Sequence, residues 1–568
     1  MLGSILSEER TPIEYARSQL RNRDRMFWVA VGLVVLYLYL IVLPFLALFV
    51  GSFTAEGTSL SGSFHLRNWI GTLSSVRKVL VNTLLFSVGT ATLTTAMTCF
   101  IAWAISKTNV PRGRYFYYLS FIGFFFPPVA WEVIWIRMIG QNGIFATLLG
   151  VETLGIASIP GMILVSSIRW LPLGMIMLVP LFASLNTTME EAARMSGANI
   201  LRATRDITLR ILSPGIFAVY LLVFLVSLAS FRVPLLIGKP NGIVVLSIAI
   251  YQNTSTAPPS FGLAMAQSVL LVLIALPSLY LYKRSLGATK KYATITGRGY
   301  QRNPIDIGNW RYVLFGVLSV FFFFVIVFPV LLLVYTGLLP FYVPPTSFPP
   351  LSAFSLDAFL APLANEKVIR GFRNSFLVAF VATTFLVAGS ILNAWVVQKT
   401  DVWFRDWVDY LSFSVVGLPA VPLAMGLIYV YLVFVPGGRF IYTSLLILII
   451  AMYTRFIAGT IRVIEPSVIQ ISSELLEAGQ MAGDSVFQRF RYIVVRLVKE
   501  NTQAAWAMRF GVIFLEMPLA IMLHTQDTEM VSAVFITMQN QAQFNQIAAF
   551  GTMLMAFLGL VTIVAHKV

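Results

Sequence analysis

The chain has 568 residues, of which 58% are hydrophobic and 11% charged. A soluble domain has no interior that can hide so much apolar surface, whereas a polytopic membrane protein presents it to lipid. The formal charge of +16 falls in short segments between apolar runs. It reads as the bias that keeps Lys and Arg on the cytoplasmic side and excludes a nucleic-acid surface as the simplest explanation.

A spanning helix needs about 20 mostly apolar residues. Twelve stretches meet that need, at 27–51, 79–106, 115–139, 160–185, 213–237, 262–282, 312–338, 373–397, 407–434, 441–464, 502–524 and 544–566. The pattern predicts an all-α membrane protein of about twelve transmembrane helices. The first run follows a polar segment and is too long for the apolar part of a cleavable signal, so it is expected to remain as a span. Pro and Gly inside several runs are tolerable where neighbouring helices re-satisfy the freed backbone groups. With an inside N-terminus, most Lys and Arg lie in the cytoplasm, most densely from Lys283 to Arg311, and the outer loop 140–159 has neither. Both termini are then expected in the cytoplasm. Cys99, the only cysteine, lies in a predicted span, which excludes an intrachain disulfide and argues against a Cys-ligated metal.

Polar landmarks recur in the same order. Asn82-Thr83 returns as Asn374-Ser375, Ala102-Trp103 as Ala394-Trp395, and Lys107-Thr108 as Lys399-Thr400, all at one offset. Pro127-Pro128 maps onto Pro419-Ala420, and after a shorter outer loop Arg169 matches Arg455. Two homologous six-helix halves follow. An even number of spans makes them parallel, related by an axis along the membrane normal. The expected divisions are a first half 1–284, a cytoplasmic connector 285–310 and a second half 311–568. Gly, Thr, basic residues and Pro304 give the connector no helical periodicity.

Each half carries one distinctive loop. Within 189–216 stand Glu191-Ala192-Ala193, three residues, Gly197, nine residues, Ile207, one residue and Leu209. Within 474–498 stand Glu477-Ala478-Gly479, then Gly483, Ile493 and Val495 at the same spacing. Small side chains at Ala192, Ala193, Gly197 and Ala198 let a short helix lie close to another protein. Gly197 can end that helix in the left-handed conformation. Glu190, Glu191, Arg194, Arg202 and Arg205 are expected as charged contacts at its rim, and Ile207, Leu209 and Ile211 lead back into the bilayer.

This spacing resembles the EAA loop of MetI-like permeases in binding-protein-dependent type I ABC importers. In that family the loop forms the short cytoplasmic helix that docks into an ATPase subunit. The resemblance assigns docking to Glu190, Glu191, Ala192, Ala193, Gly197, Ala198, Ile207 and Leu209 in the first loop. In the second it assigns docking to Glu477, Ala478, Gly479, Gly483 and Ile493. Arg210 and Arg496 stand where the family usually has Pro, and the second loop has Gly479 for Ala and Val495 for Leu. The segments SFRVPLLIGKP (230–240), FGLAMAQS (261–268), YATITGRGY (292–300) and EMPLAIMLHTQDT (516–528) extend the resemblance to fused permeases of the ferric-iron branch. Similar fused permeases exist for thiamine and aminoethylphosphonate. The resemblance implies a bacterial inner-membrane protein working with two copies of an ABC ATPase and an extracytoplasmic substrate-binding protein. ATP and Mg would be bound by the ATPase and no cofactor by this chain. The cargo would be a small solute such as ferric iron or a chelated or anionic relative.

The chain itself lacks a G-x-x-x-x-G-K-[ST] loop, so an enzyme that cradles ATP phosphates in the usual way is not expected here. His65, His524 and His566 are too scattered to suggest a metal site, and no catalytic residues stand out. Charges inside spans are costly and normally face protein or water. Arg169, Arg455, Glu132 and Glu516 are therefore candidates for a translocation path, with Arg137, Arg232 and Arg509 also inside spans. Paired arginines would favour an anion or an anion-complexed metal over a bare cation. The alternative is that these arginines pair with Glu132 or Glu516 inside the bundle. An ion-coupled secondary transporter shares the two-half architecture. The paired loops and the few buried carboxylates argue against it.

Overall fold

The computed structural model describes residues 25–567 except 58, 61, 142, 153–154, 186–187, 294–303, 341–349 and 483. Among the described residues, 9 helices are long and apolar enough to cross a membrane. In the first half they are Met26–Thr54, Arg67–Lys107, Ile159–Ser184, Ile200–Leu228 and Phe261–Ser285. In the second half they are Trp310–Gly337, Glu366–Lys399, Leu445–Ile469 and Phe544–Val564. This is an all-α membrane protein, but not twelve continuous spans.

Proline accounts for two of the breaks. The expected span 115–139 is two helices, Gly113–Phe125 and Pro128–Ile139. Its counterpart 407–434 bends by 109° between Arg405–Gly417 and Ala420–Phe434. The residue before a proline is pushed out of the helical region, and Phe126 (ψ 121) and Leu418 (ψ 106) are both extended. The helix expected at 213–237 ends at Leu228, and the chain continues through Pro234–Asn241 and Leu246–Ser255, bent by 79°. The run 502–524 likewise divides into Lys499–Phe514 and Pro518–Leu523, followed by Val531–Asn540. The first helix of each half widens into a π turn, Leu38–Val42 and Phe323–Val327, just before Pro44 and Pro329. A proline removes the N–H of a regular turn and crowds the carbonyl four residues back, and a wider turn relieves both.

The Asn-Thr and Asn-Ser landmarks hold these breaks together. The Asn82 side-chain amide donates to the Val244 carbonyl (3.1 Å), and Thr83 Oγ1 accepts the Leu246 N–H (2.8 Å). In the second half Asn374 donates to the Asp527 and Glu529 carbonyls (2.9 and 3.0 Å), and Ser375 Oγ accepts the Val531 N–H (2.9 Å). Leu246–Ser255 and Val531–Asn540 thus receive their N-terminal caps from a distant long helix. That is the capping chemistry usually supplied by the preceding residue.

Each half's first helix packs on the other half. Tyr37 is fully buried and accepts from Asn393 (2.9 Å), and Thr54 meets the Tyr429 hydroxyl (2.8 Å). Reciprocally, Phe322 stacks on Phe116 at 5.4 Å. A Cβ built on Gly426 would collide with the Pro44 carbonyl, whereas one on Gly32 meets nothing within 4 Å. Gly426→Val should therefore lower the melting temperature and the membrane abundance, with an over-packing cost of about 1–3 kcal/mol. Gly32→Val should change neither. Equal melting of the two variants in detergent would show that this contact between the halves is not close.

Candidate functional site

Two elbows at the same end of the bundle contain the EAA-like loops. The first is the helix Thr188–Met195, a turn, Ile200–Ala203 and a π turn Thr204–Thr208 that runs into the next long helix. Gly197 takes φ +90, a conformation in which an L side chain is strained, and a Cβ there would meet nothing within 4 Å. The Ala198 N–H closes the turn on the Ala193 carbonyl (3.0 Å), and Asn199 Oδ1 caps Ile200–Ala203 by accepting the Arg202 N–H (2.8 Å). The second elbow repeats the plan with Ser473–Met481, Val486–Arg489 and a π turn Phe490–Val494. Ser485 and Gln488 bond each other's backbone N–H (2.8 and 3.3 Å), a capping box. A Cβ on Gly479 would lie 3.0 Å from Ile493, so glycine here admits a close approach.

Glu191, Ala192, Gly197, Glu477 and Ala478 are exposed, and Ala193, Ala198, Gly479, Ile207, Leu209 and Ile493 are half-buried. Gly483 lies outside the described residues. Glu190 corrects the expectation of a rim contact. It is 1% exposed, accepts a hydrogen bond from Thr208, and lies 3.6 Å from the buried Lys107 ammonium. Lys107 also donates to the Leu185 carbonyl at 2.7 Å. A buried carboxylate needs such partners, so Glu190 ties the elbow to the long helix and leaves Glu191 outward.

Two matched features were not singled out in the sequence. Met195 and Met481 are 90% and 89% exposed, and Leu201 and Phe487 are 75% and 62% exposed. Each elbow thus presents an apolar pair that the protein itself does not cover, the usual mark of an interaction face. Their signal in the sequence was their equal spacing after the Glu-Ala pair. The recurring tryptophans also acquire a role: Trp103 donates to Thr204 (3.2 Å), and Trp395 stacks on Phe490 (4.8 Å). A cleft of ≈ 1170 Å³ beside the first elbow is lined by Trp103, Glu191, Met195, Leu201 and Trp310.

The charges inside the bundle form a second candidate region. Arg169 donates to the Gly123 carbonyl, and Arg455 donates to the Leu418 carbonyl (2.9 Å). Four residues beyond these carbonyls stand Pro127 and Pro422, which have no N–H to give. Each arginine supplies a donor to a carbonyl left open where a helix breaks. No ion pair within 4.0 Å joins either arginine to Glu132 or Glu516 among the described residues. Glu516 instead accepts the Leu519 and Ala520 N–H groups (3.0 and 3.2 Å). Glu132 is fully buried with both carboxylate oxygens unpartnered. Of the other span charges, Arg137 and Arg509 lie over the rings of Phe544 (4.4 Å) and Phe456 (5.9 Å). No group of three or more His, Cys, Asp and Glu residues suited to a metal occurs among the described residues.

The fold defines a multi-pass membrane protein, and its relatives are permeases. No family model matches the chain. It is 22% identical over 331 residues to the Fe(3+)-transport system permease protein FbpB 2 of Haemophilus influenzae, a match that takes 57% of this chain and 62% of that relative. A second protein of that species, described as a ferric transport system permease, FbpB 1, is 22% identical over 89% of this chain and 78% of its own length. The diacetylchitobiose uptake system permease protein NgcG of Streptomyces coelicolor is 24% identical over 51% of this chain and 99% of its own length. The similarity is modest and consistently to permeases of the ABC class, with ferric transport permeases prominent. Such permease subunits are not themselves ATPases.

Replacing Arg455 by Met would leave the Leu418 carbonyl bare inside the bundle, at a cost of about 1–3 kcal/mol. Arg455→Met should lower membrane abundance and melting temperature, and Arg455→Lys should restore part of both. Arg455→Met at wild-type abundance and melting would reject the carbonyl as the purpose of this arginine.

Proposed function

We propose that the chain is the pore-forming permease of a binding-protein-dependent ABC importer. The observation that carries this reading is the pair of elbows at one end of the bundle. Each has an outward Glu-Ala pair and an uncovered apolar pair at matched positions. Two copies of a separate ATPase subunit dock on these elbows and hydrolyse ATP there, and an extracytoplasmic binding protein delivers the solute to the opposite end. The elbow end is cytoplasmic, in keeping with Arg112, Arg114, Arg202, Arg205, Arg284 and Arg311 nearby. The cargo is ferric iron or a chelated or anionic relative. The ferric transport relatives support that class, and so do the matched arginines Arg169 and Arg455 inside the bundle. Arg169 and Arg455 add positive potential to the route while holding the helix breaks.

Affinity capture of the tagged chain from its own membranes should recover an ABC ATPase in a ratio of two per chain. Gly197→Leu should reduce that recovery several-fold at unchanged chain abundance, because the new side chain strains the left-handed turn and projects into the space the partner needs. Recovery of no ATPase with the wild-type chain would remove the docking role. A cysteine at Ser196 should react with impermeant maleimide only from the cytoplasmic face and one at Ser63 only from outside, in a Cys99→Ser background. Reversed labelling would overturn the orientation.

A further inference from the structure

The two elbows are held to the bundle by different chemistry at matching positions. In the first, Glu190 accepts from Thr208 and lies against Lys107, and Trp103 hydrogen-bonds Thr204. The matching residues of the second elbow are Leu476, Val494 and Phe490. Leu476 and Val494 are buried, and Phe490 stacks on Trp395. Lys399, the counterpart of Lys107, donates only to the Ile469 and Ile471 carbonyls (3.0 and 2.5 Å). The connector adds a second difference. The Ile305 N–H donates to the Lys107 carbonyl (2.8 Å), the Asn109 N–H to the Ile305 carbonyl (3.2 Å), and the Asn109 amide to Asp306 (2.5 Å). This stitch begins at the residue whose side chain holds Glu190.

Hydrogen bonds and ion pairs are directional and fix one register, the best-attested use of buried polar groups. Apolar contact is non-directional and lets one surface slide on another. We propose that the two elbows are mechanically unequal. The first moves as one body with the Arg67–Lys107 helix and with Ile305 and Asp306 and transmits the ATPase stroke; the second yields by sliding. Lys107, Glu190 and Thr208 are positioning residues in this scheme, since none of them faces the partner. Two identical ATPase subunits would thus act through one stiff and one compliant joint. This inference rests on the docking reading above.

The second elbow shows that a lysine held by carbonyls alone is tolerated in this fold. The double variant Glu190→Leu with Thr208→Val gives the first elbow the apolar residues of the second at two of the three matching positions and keeps the Trp103–Thr204 bond. It should assemble with the ATPase and hydrolyse ATP, while transport per ATP falls about tenfold, within the range usual for coupling between sites. Leu476→Ala in the second elbow should leave that ratio within about twofold, well inside the same range. Hydrogen exchange on the wild-type complex should find 188–195 better protected than 473–481. If the double variant does not accumulate, Glu190→Gln decides, because it keeps the shape and removes the charge; it should lower the ratio in the same direction. An unchanged ratio in the first-elbow variants, an equal fall with Leu476→Ala, or equal protection of the two helices overturns the proposal. A wild-type chain that neither binds an ATPase nor supports ATP-driven uptake overturns the docking reading instead.

Discussion

A backbone carbonyl or amide left bare inside a bilayer costs several kcal/mol, because no water is there to bond it. This bundle breaks its helices repeatedly and answers each break with a side chain from a neighbour. Arg169 and Arg455 serve the open carbonyls of Gly123 and Leu418 at two of the breaks. Asn82 with Thr83, and Asn374 with Ser375, close the entries of two short helices. Lys107 and Lys399 collect carbonyls at and just past the ends of Ile159–Ser184 and Leu445–Ile469, where a cation also complements the helix dipole. The repeated landmarks are thus mostly one class of interaction, and the broken helices depend on it.

The residues that do not repeat are informative for the same reason. Glu132 has Ala424 in its matching place, and Glu190 gives way to Leu476. The scaffold does not need these charges twice, since the other half folds without them. Glu132 is the extreme case. A buried carboxylate with no hydrogen bond is unfavourable by several kcal/mol, and such a cost is normally kept only where a group has work to do. The halves share their mechanics and differ in their charges.

Exchange of the first helices makes the halves one body. Tyr37, Thr54 and Gly51 lean on Asn393 and Tyr429 of the second half, and Phe322 leans on Phe116 of the first. The contacts are small or aromatic residues at close approach, the packing that membrane helices use in place of a hydrophobic driving force.

The sequence by itself determined the class of fold and the position of the two elbows. Apolar length, landmark order and the Glu-Ala-Gly spacing are local properties that survive without coordinates. It also pointed to the prolines, but not to their consequence. Counting apolar residues cannot tell a continuous span at 115–139 from two helices parted at Phe126-Pro127, because hydropathy is blind to direction. Glu190 and Glu191 are neighbours in sequence, and only tertiary structure sends one to Lys107 and leaves the other outside. Arg169 and Arg455 were legible as a matched pair of costly charges. Their partners were not, since Gly123 and Leu418 offer backbone carbonyls that any residue carries. Which group a side chain satisfies is set by what the fold brings within about 3 Å of it, and no pattern along the chain encodes that distance.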